Sequence, residues 1–551
     1  MEENVKDLHG PVPDPLVHQR CELTYKQYPR IAWLHAGLTP MQARTENLVA
    51  VVGALESRSI DYFAVRGMED RASTIGVHVD DQSQTLEALA ELCSRMLGYV
   101  QIVIPKPRTA TSLMAGNEAR TWKKAAESRV LRITWFRTEP SRSLVCGTAY
   151  GCDIEFWKPE ERPEPLPEEQ RESVGVPARL ISPRVNRVTR VLPVDAKSVD
   201  APGRTFTRIA PQDDSLPQVR TRSEFTRPLP NDIDFPVDVV YTWVDGSDPA
   251  WQRRRAEASG EAYHAESASV SRFINHDELR YSLRSLHANA PWVRTIYIVS
   301  DDQIPAWLDV SVPGLKVVSH KEIFTDPCVL PTFNSHAIES QLHHIDGLSE
   351  HFLYFNDDMF IGRPIAPQAF FLPNGIAKYF PSQSRVPSGP IGLLDTPVDA
   401  ATKNNRRLLE KRFGRYISQV MEHAPYAMRR SVLEELEREY PEEFRTTAGS
   451  HFRSLTDHNI PSNLAHYYGF FTGRALPGSL HFGYVGLAVK DLSARLERLL
   501  ARRDRDAFCI NDTFSEEEDV EAQNELITPF LQSYFPIPSP YEKALVRVGA
   551  E

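Results

Sequence analysis

Residues 236–249 read PVDVVYTWVDGSDP, an apolar run that leads into an aspartate-rich turn. Val, Tyr and Trp favour extended chain, so Pro236 to Trp243 is predicted to be a buried strand, and the DGSDP that follows is typical of a turn. Residues 351–358, HFLYFNDD, show the same pattern of an apolar strand followed by polar residues. Here an aromatic strand leads into Asn356-Asp357-Asp358. Polar residues directly after buried strands predict an open α/β sheet whose ligands bind at the carboxyl ends of its strands.

The segment between these two strands supports a mainly parallel, Rossmann-like sheet. Asp277 to Ala290 is predicted to be a helix with Leu279, Leu283 and Leu286 on its inner face, and a strand from Thr295 to Val299 follows it. Strand, helix and strand in this order predict parallel pairing, with helices covering both faces of the sheet.

The length of 551 residues predicts more than one domain, because single cores usually stop growing near roughly 250 to 300 residues. Short apolar runs near 60–65, 74–79 and 99–104 and a predicted helix over 84–97 indicate a smaller N-terminal α/β domain. Proline-containing stretches after Trp157 and near Pro228 are typical of linkers. We therefore predict a tail over 1–19, a small α/β domain over 20–155, a linker over 156–234, a larger α/β domain over 235–541 and a tail over 542–551.

Composition excludes several classes of function. The net charge of −11 argues against a nucleic-acid binder, which needs a basic face. The six cysteines form no CxxC pair, which argues against a disulfide framework or a zinc site. Neither a secretory signal nor a run of about 18 apolar residues is present, so we predict a cytoplasmic protein with at most peripheral contact at the inner face of the membrane.

Two groups of acidic residues are candidates for binding. Asn356-Asp357-Asp358 could hold a divalent cation bound to a diphosphate, although an isolated NDD is more often a solvated turn. Asp238 lies inside an apolar strand, where burial costs several kcal/mol unless the carboxylate is paired. With Asp245 and Asp248 in the following loop it could bind a nucleoside or a metal. The competing interpretation is a strand-end carboxylate beside a solvated turn.

His423 is the candidate base. It precedes a predicted amphipathic helix whose apolar face contains Met428, Val432, Leu433 and Leu436. Pro425 suits the first turn of that helix, and the positive end of the helix dipole would keep the imidazole neutral. A capping or surface histidine is the alternative.

Three further residues are candidates on weaker grounds. Arg453 could stabilise phosphate charge, although most arginines are merely solvated. Asn511 and Asp512 follow the apolar run Phe-Cys-Ile and could supply ligands or form a turn.

These segments together resemble the Stealth family of sugar-phosphate transferases. Four blocks occur in the family's order: DVVYTWVDGSDP from 238; DELRYSLRSLHANAPWVRTIYIVSDDQIPAWL from 277 with LPTFNSHAIES and HFLYFNDDMFIGRP; HAPYAMRRSVLEELEREYPEEF from 423 with FRSLTDHNIPS; and FCINDTF with FPIPSPYE. The resemblance spans about 235–541 and makes this the catalytic domain, with a glycosyltransferase-A-like sheet.

The resemblance implies transfer of a hexose or N-acetylhexosamine 1-phosphate from a UDP- or GDP-sugar to a polysaccharide hydroxyl, with release of a nucleoside monophosphate. Exopolysaccharide or capsule synthesis is the implied process, and Mg²⁺ (or Mn²⁺) the implied cofactor. The residues implied in catalysis are His423, Arg453 and Asp358; in metal binding Asp357, Asp358, Asn511 and Asp512; and in substrate binding Asp238, Asp245, Asn356 and either Asn275 or Asp277.

Two other functions remain open from the sequence. A metal-dependent glycosyltransferase would bind the same donor, but its acceptor would attack the anomeric carbon and a nucleoside diphosphate would leave. A non-catalytic carbohydrate-binding protein would be expected to have lost the charged motif residues, and nearly all of them are present.

Overall fold

The computed structural model describes residues 19–104, 112–160, 178–213, 215–259, 277–511 and 520–544. The chain divides into two compact units, Met1–Leu229 and Pro230–Glu551. Among the described helices, none combines the length and the apolar character needed to cross a membrane.

The described residues of the N-terminal unit form two sheets and three α-helices. Its strands are β1 (Arg20–Tyr25), β2 (Tyr28–Leu34), β3 (Tyr62–Ala64), β4 (Ser73–His78), β5 (Tyr99–Ile102), β6 (Met114–Ala115), β7 (Val130–Thr134), β8 (Phe136–Thr138), β9 (Val145–Cys146), β10 (Cys152–Pro159), β11 (Arg179–Ile181), β12 (Val191–Pro193), β13 (Ser198–Pro202) and β14 (Gln218–Arg222). Its helices are α1 (Pro40–Glu56), α2 (Gln82–Met96) and α3 (Ala119–Ala125). The predicted short strands and the helix over 84–97 are present here as β3, β4, β5 and α2.

The linker predicted over 156–234 is wrong for most of its described length. β13 and β14 extend the larger sheet in the order β13-β14-β3-β4-β10-β7-β5-β6, while β11 pairs with β10 and β12. Apolar side chains from this stretch, including Leu180, Val219 and Phe225, are buried in the same core as α1 and α2. Pro159, the described proline of the first of these stretches, is the last residue of β10. Residues 161–177 of the predicted linker and 1–18 of the predicted tail lie outside the described residues.

The C-terminal unit is a second α/β assembly. Its strands are β15 (Val237–Thr242), β16 (Ile296–Ser300), β17 (Leu315–Ser319), β18 (His351–Asn356), β19 (Met359–Ile361), β20 (Ala377–Tyr379), β21 (Pro381–Arg385), β22 (Gln419–Met421), β23 (Tyr426–Arg429), β24 (Ala475–Pro477), β25 (Phe482–Gly486) and β26 (Ala507–Asn511). Its α-helices are α4 (Pro249–Ala258), α5 (Glu278–Asn289), α6 (His320–Ile323), α7 (Ser335–Glu339), α8 (Pro397–Phe413), α9 (Arg430–Glu439), α10 (Pro441–Ala448), α11 (Ala465–Phe471), α12 (Leu492–Arg502) and α13 (Val520–Tyr534).

The central sheet of this unit has the order β17-β16-β15-β18-β23. The first four strands are parallel, and β23 is antiparallel to β18. The chain moves outward from β15 through β16 to β17 and then returns to place β18 on the other side of β15. Because such crossovers are right-handed, this reversal places connecting helices on both faces and opens a crevice between the carboxyl ends of β15 and β18. The predicted mainly parallel α/β sheet is confirmed.

A smaller sheet, β19-β26-β25, brings the end of the chain beside β18. Phe360, Phe508 and Phe535 stack in its core, against apolar residues of α12 and α13. The domain also extends past its predicted end at 541, since Glu542 forms ion pairs of 2.7 Å with both Arg280 and Arg284 of α5.

Candidate active site

The candidate site lies where β15 and β18 end side by side. Thr242 pairs with Asn356 in the sheet register, so the loops after both strands begin at the same edge. The Tyr354 hydroxyl lies 3.0 Å from the Thr242 hydroxyl and ties the two strands together. Asn356, Asp357 and Asp358 therefore stand at the crevice that the strand order creates.

Asp357 and Asp358 are adjacent carboxylates with opposite pKa shifts. Burial, together with the neighbouring charge of Asp358, raises the pKa of Asp357 to about 7. Burial also opposes ionisation of Asp358, but His423 outweighs it and lowers the pKa of that carboxyl. Asp358 therefore ionises more readily than Asp357. A bound cation would stabilise the negative charge on Asp357.

His423 faces Asp358 across the crevice. Its Nε2 lies 3.4 Å from Oδ1 of Asp358, and its Nδ1 lies 3.2 Å from the Tyr426 hydroxyl. Burial disfavours the imidazolium, but Asp358 and Glu339 more than compensate and raise the pKa of His423 above its usual 6.5.

The predicted local setting of His423 is wrong, because the residue does not directly precede a helix. The residue lies in the loop between β22 and β23, and α9 begins only at Arg430. Met428, predicted on the helix face, lies in β23 opposite Phe352 of β18. A neighbouring carboxylate, rather than a helix dipole, therefore controls this imidazole, and it favours the protonated ring.

β26 contributes two more groups at its carboxyl end. The Asn511 side-chain amide donates to Oδ2 of Asp358 at 2.8 Å, and the Cys509 thiol donates to the same oxygen at 3.1 Å. Burial, followed by the charge of Asp358, raises the pKa of the Cys509 thiol, which favours the protonated form that donates this hydrogen bond. Asn511 therefore orients Asp358. Asp512 lies outside the described residues, so its predicted role stays a prediction.

Glu339 is a site residue that the sequence reading missed. It ends α7, is only 5% exposed, and accepts a hydrogen bond of 3.1 Å from Tyr354. Its other oxygen has no hydrogen-bond partner among the described residues. Burial raises the pKa of Glu339, while the charges of His336, Arg453 and His423 oppose that rise. The only sequence signal was a carboxylate in the block NSHAIES, which also contains Ser335 and His336.

Arg453 lies in the same electrostatic neighbourhood. Its Nη2 donates to the Ser335 hydroxyl at 2.7 Å, and its charge acts on both Glu339 and His423. A guanidinium held at its tip beside a buried carboxylate and an imidazole is suited to bind a phosphate oxygen.

The structure argues against the predicted substrate contact of Asp238, because this residue lies at the other end of β15 from the acidic pair. It lies near the amino end of β15, fully buried, and accepts from the Arg294 guanidinium at 2.8 and 2.5 Å. The Ser349 backbone N–H donates to it at 2.8 Å. Both carboxylate oxygens are therefore satisfied within the protein, as burial of a charge requires.

Two further candidates, Asp245 and Asp277, lie in loops of the C-terminal unit. Asp245 follows β15 and accepts from the N–H and hydroxyl of Ser247. Asp277 precedes α5 in a left-handed conformation with φ 65°, and burial raises its pKa although Arg280 opposes that rise. Asn275 lies outside the described residues, so the choice between it and Asp277 stays a prediction.

The donor set fits a hard divalent cation. Oδ1 of Asp358 and Oδ1 of Asn356 are buried and accept no hydrogen bond within the described parts of the chain. Two adjacent carboxylates and an amide oxygen are the ligand types that Mg²⁺ and Mn²⁺ prefer. An added positive charge would also relieve the repulsion that raises the pKa of Asp357.

Comparisons with known proteins place family matches in four separate parts of the C-terminal unit. Four models of Stealth proteins match in chain order: conserved region 1 over 235–263, region 2 over 272–379, region 3 over 422–470 and region 4 over 497–548. An exopolysaccharide phosphotransferase of Streptomyces coelicolor is 49% identical over 93% of this chain and 92% of its own length. A second from that organism is 50% identical, covering 93% and 85%, and CpsY of Mycobacterium tuberculosis is 35% identical, covering 94% and 92%.

Among solved structures, galactosyltransferase LgtC in complex with donor and acceptor sugar analogs is 10% identical. The match covers 54% of this chain and 96% of that one with a TM-score of 0.28, which is too low to support a functional argument.

Proposed function

The chain belongs to the Stealth family of exopolysaccharide phosphotransferases, and from this premise we propose that it transfers a hexose 1-phosphate from a nucleotide sugar to a polysaccharide hydroxyl. The observation that supports the proposal is the convergence of Asp358, His423 and Asn511. These residues come from three separately matched regions and meet within hydrogen-bond or ion-pair distance. An acidic pair and a partly buried base at one sheet edge can serve phosphoryl transfer.

In the proposed reaction the acceptor hydroxyl oxygen attacks the phosphorus attached to the sugar. The new bond joins that oxygen to phosphorus, and the bond from phosphorus to the bridging oxygen of the nucleoside monophosphate breaks. The product is a sugar phosphodiester, and the nucleoside monophosphate leaves. UDP- and GDP-sugars are the proposed donors.

His423 is the proposed base, and its neighbours set its strength. The ring takes the hydroxyl proton as the oxygen attacks, and Asp358 and Glu339 stabilise the imidazolium that forms. Tyr426 contacts Nδ1 and fixes the ring plane. The carboxylates make the base stronger, but they also keep a larger fraction of the ring protonated near neutral pH.

The negative charge of the transferred group has two proposed partners. Arg453 offers its guanidinium to the phosphoryl oxygens from its anchor on Ser335. Asp357 and Asp358, with Asn356, would hold the magnesium ion, while Asn511 keeps Asp358 in position. When bound, this ion would neutralise charge on the diphosphate.

The test is to identify the nucleotide product. Purified chain is incubated with Mg²⁺, a panel of UDP- and GDP-sugars and a mixed glycan acceptor, and released nucleotides are separated by chromatography. We expect acceptor-dependent nucleoside monophosphate from the wild type and from Asp346→Asn, an exposed carboxylate, but not from Asp358→Asn. Release of nucleoside diphosphate would replace the proposal with glycosyl transfer.

A further inference from the structure

Three side chains outside the candidate active site converge on one point of the C-terminal unit. His343 and His344 lie in the 3-10 turn Leu342–His344, and Glu437 lies on α9. Nε2 of His343 is 2.8 Å and Nε2 of His344 is 2.9 Å from the same Oε2 atom of Glu437. Among the described residues, this is one of two groups whose possible ligand atoms all lie within 4.8 Å of one another, and the other is the Asp358, His423 and Cys509 group.

The hydrogen-bond directions at His344 make the arrangement unusual. Its Nδ1 lies 2.8 Å from the Ile323 carbonyl oxygen, which can only accept, so Nδ1 carries the hydrogen. In a neutral ring, Nε2 then directs a lone pair at the Glu437 oxygen. Two electron pairs at 2.9 Å would repel unless a cation lies between them or the ring binds a second proton.

The two ring contacts of His344 are also the contacts that a metal-binding histidine makes. Ligating imidazoles commonly donate their second N–H to a backbone carbonyl, which fixes the tautomer and turns the free nitrogen towards the metal. His344 has this carbonyl partner in Ile323. His343 has a side chain only 1% exposed, so the packing around it holds its ring in place beside that of His344.

We propose that His343, His344 and Glu437 bind a zinc ion. Two imidazoles and one carboxylate are common zinc ligands, and no cysteine is needed. Zinc bonds of about 2.0–2.2 Å place tetrahedral ligand atoms roughly 3.3 Å apart, so Glu437 must withdraw by about half an ångström. Its side chain is 31% exposed at the helix surface, which leaves it free to make that adjustment. The exposed side of Glu437 also gives a water molecule access to the fourth ligand position.

The position of the ion suggests a structural role. The 3-10 turn follows α7, which ends at Glu339, and α9 follows β23 and the loop that carries His423. The ion joins these two segments, and its three ligands are different residues from those of the candidate active site. Zinc that bridges two segments contributes directly to folding stability, so its removal lowers Tm first and activity as a consequence.

The experiment measures metal content of the full chain, purified without a histidine tag from zinc-supplemented cells. We expect about one zinc per chain, because three protein ligands and one water molecule complete a tetrahedral site. The zinc should persist in Asp358→Asn, which removes a carboxylate of the other group, and in His78→Ala, a partly exposed histidine of the N-terminal unit. It should be lost from the His343→Ala/His344→Ala double variant and bind at least tenfold more weakly in Glu437→Gln. Chelation should lower the Tm of the wild type, and added zinc should restore it.

Two results would overturn the proposal. One is a wild-type chain that contains no first-row metal and whose Tm does not respond to added zinc. That result would mean that a doubly protonated His344 donates to Glu437 and that no metal is needed. The other is zinc that remains in Glu437→Gln with unchanged affinity. If the double variant fails to fold, wild-type zinc content and the visible spectrum of the Co²⁺-substituted chain still decide the question. Absence of the intense tetrahedral Co²⁺ bands would refute the site.

Discussion

Replacing Asp238 by asparagine tests whether this residue stabilises the fold or contacts the substrate, as the sequence suggested. The first role predicts a loss of stability, and the second predicts a loss of donor affinity. The carboxylate is fully buried at the start of β15 and is paired with Arg294 and the Ser349 backbone. Asparagine keeps the shape and one accepting oxygen, but removes the charge that Arg294 needs. We therefore expect lower stability with no change in donor affinity.

The size of the effect follows from the surroundings of the pair. Breaking a buried ion pair costs about 3–5 kcal/mol when the partner is left desolvated. Arg294 is 39% exposed, so water can solvate its orphaned charge. The amide oxygen introduced by Asp238→Asn could still accept one of the hydrogen bonds, which places the expected loss near the lower limit, about 2–3 kcal/mol.

Thermal unfolding and donor kinetics measure the two properties separately. A loss of this size should lower Tm by on the order of 5 °C, while KM for the nucleotide sugar stays within about twofold at a temperature where the variant is folded. Asp346→Asn, at an exposed position, is the control and should leave both quantities unchanged. An unchanged Tm with KM raised about tenfold would refute this reasoning and restore Asp238 as a substrate ligand.

Three further predictions concern the candidate site. His423→Ala should lower kcat by about 10²–10⁴ while calorimetric donor affinity is unchanged, and near-normal turnover would remove it as the base. Because Glu339 and Asp358 raise the pKa of His423 above 6.5 and only the neutral ring accepts a proton, kcat/KM should fall as pH drops through a value above 6.5. Glu339→Gln should move that acid limb to lower pH, and an unmoved limb would mean that Glu339 does not act on His423. Asp357→Asn should raise the Mg²⁺ concentration needed for half-maximal rate by about tenfold, and an unchanged Mg²⁺ titration would exclude it as a ligand.

The central sheet could be predicted because its strands carry their own signals. β15 and β18 are mostly apolar runs that lead into turn residues, and the leucines of α5 repeat at helical spacing with Leu279, Leu283 and Leu286 all buried. These features are local, so a single sequence is sufficient to detect them.

Contacts between distant residues could not be predicted in the same way. A buried aspartate has the same sequence signature whether it binds a ligand or pairs with Arg294, 56 positions away. Met428 fits a helical period with Val432, but pairing with β18 makes it part of a strand. Glu339 lies in a helix of five residues, which is too short to show a period.

The fate of the donor's sugar-bound phosphate tests the central claim most directly. A nucleotide sugar labelled with ³²P at that phosphate is incubated with acceptor, and the polymer and the released nucleotide are separated and counted. Sugar-phosphate transfer predicts label in the polymer and unlabelled nucleoside monophosphate, both lost in Asp358→Asn. Label that leaves with a nucleoside diphosphate, while the polymer gains only unlabelled sugar, would contradict the account.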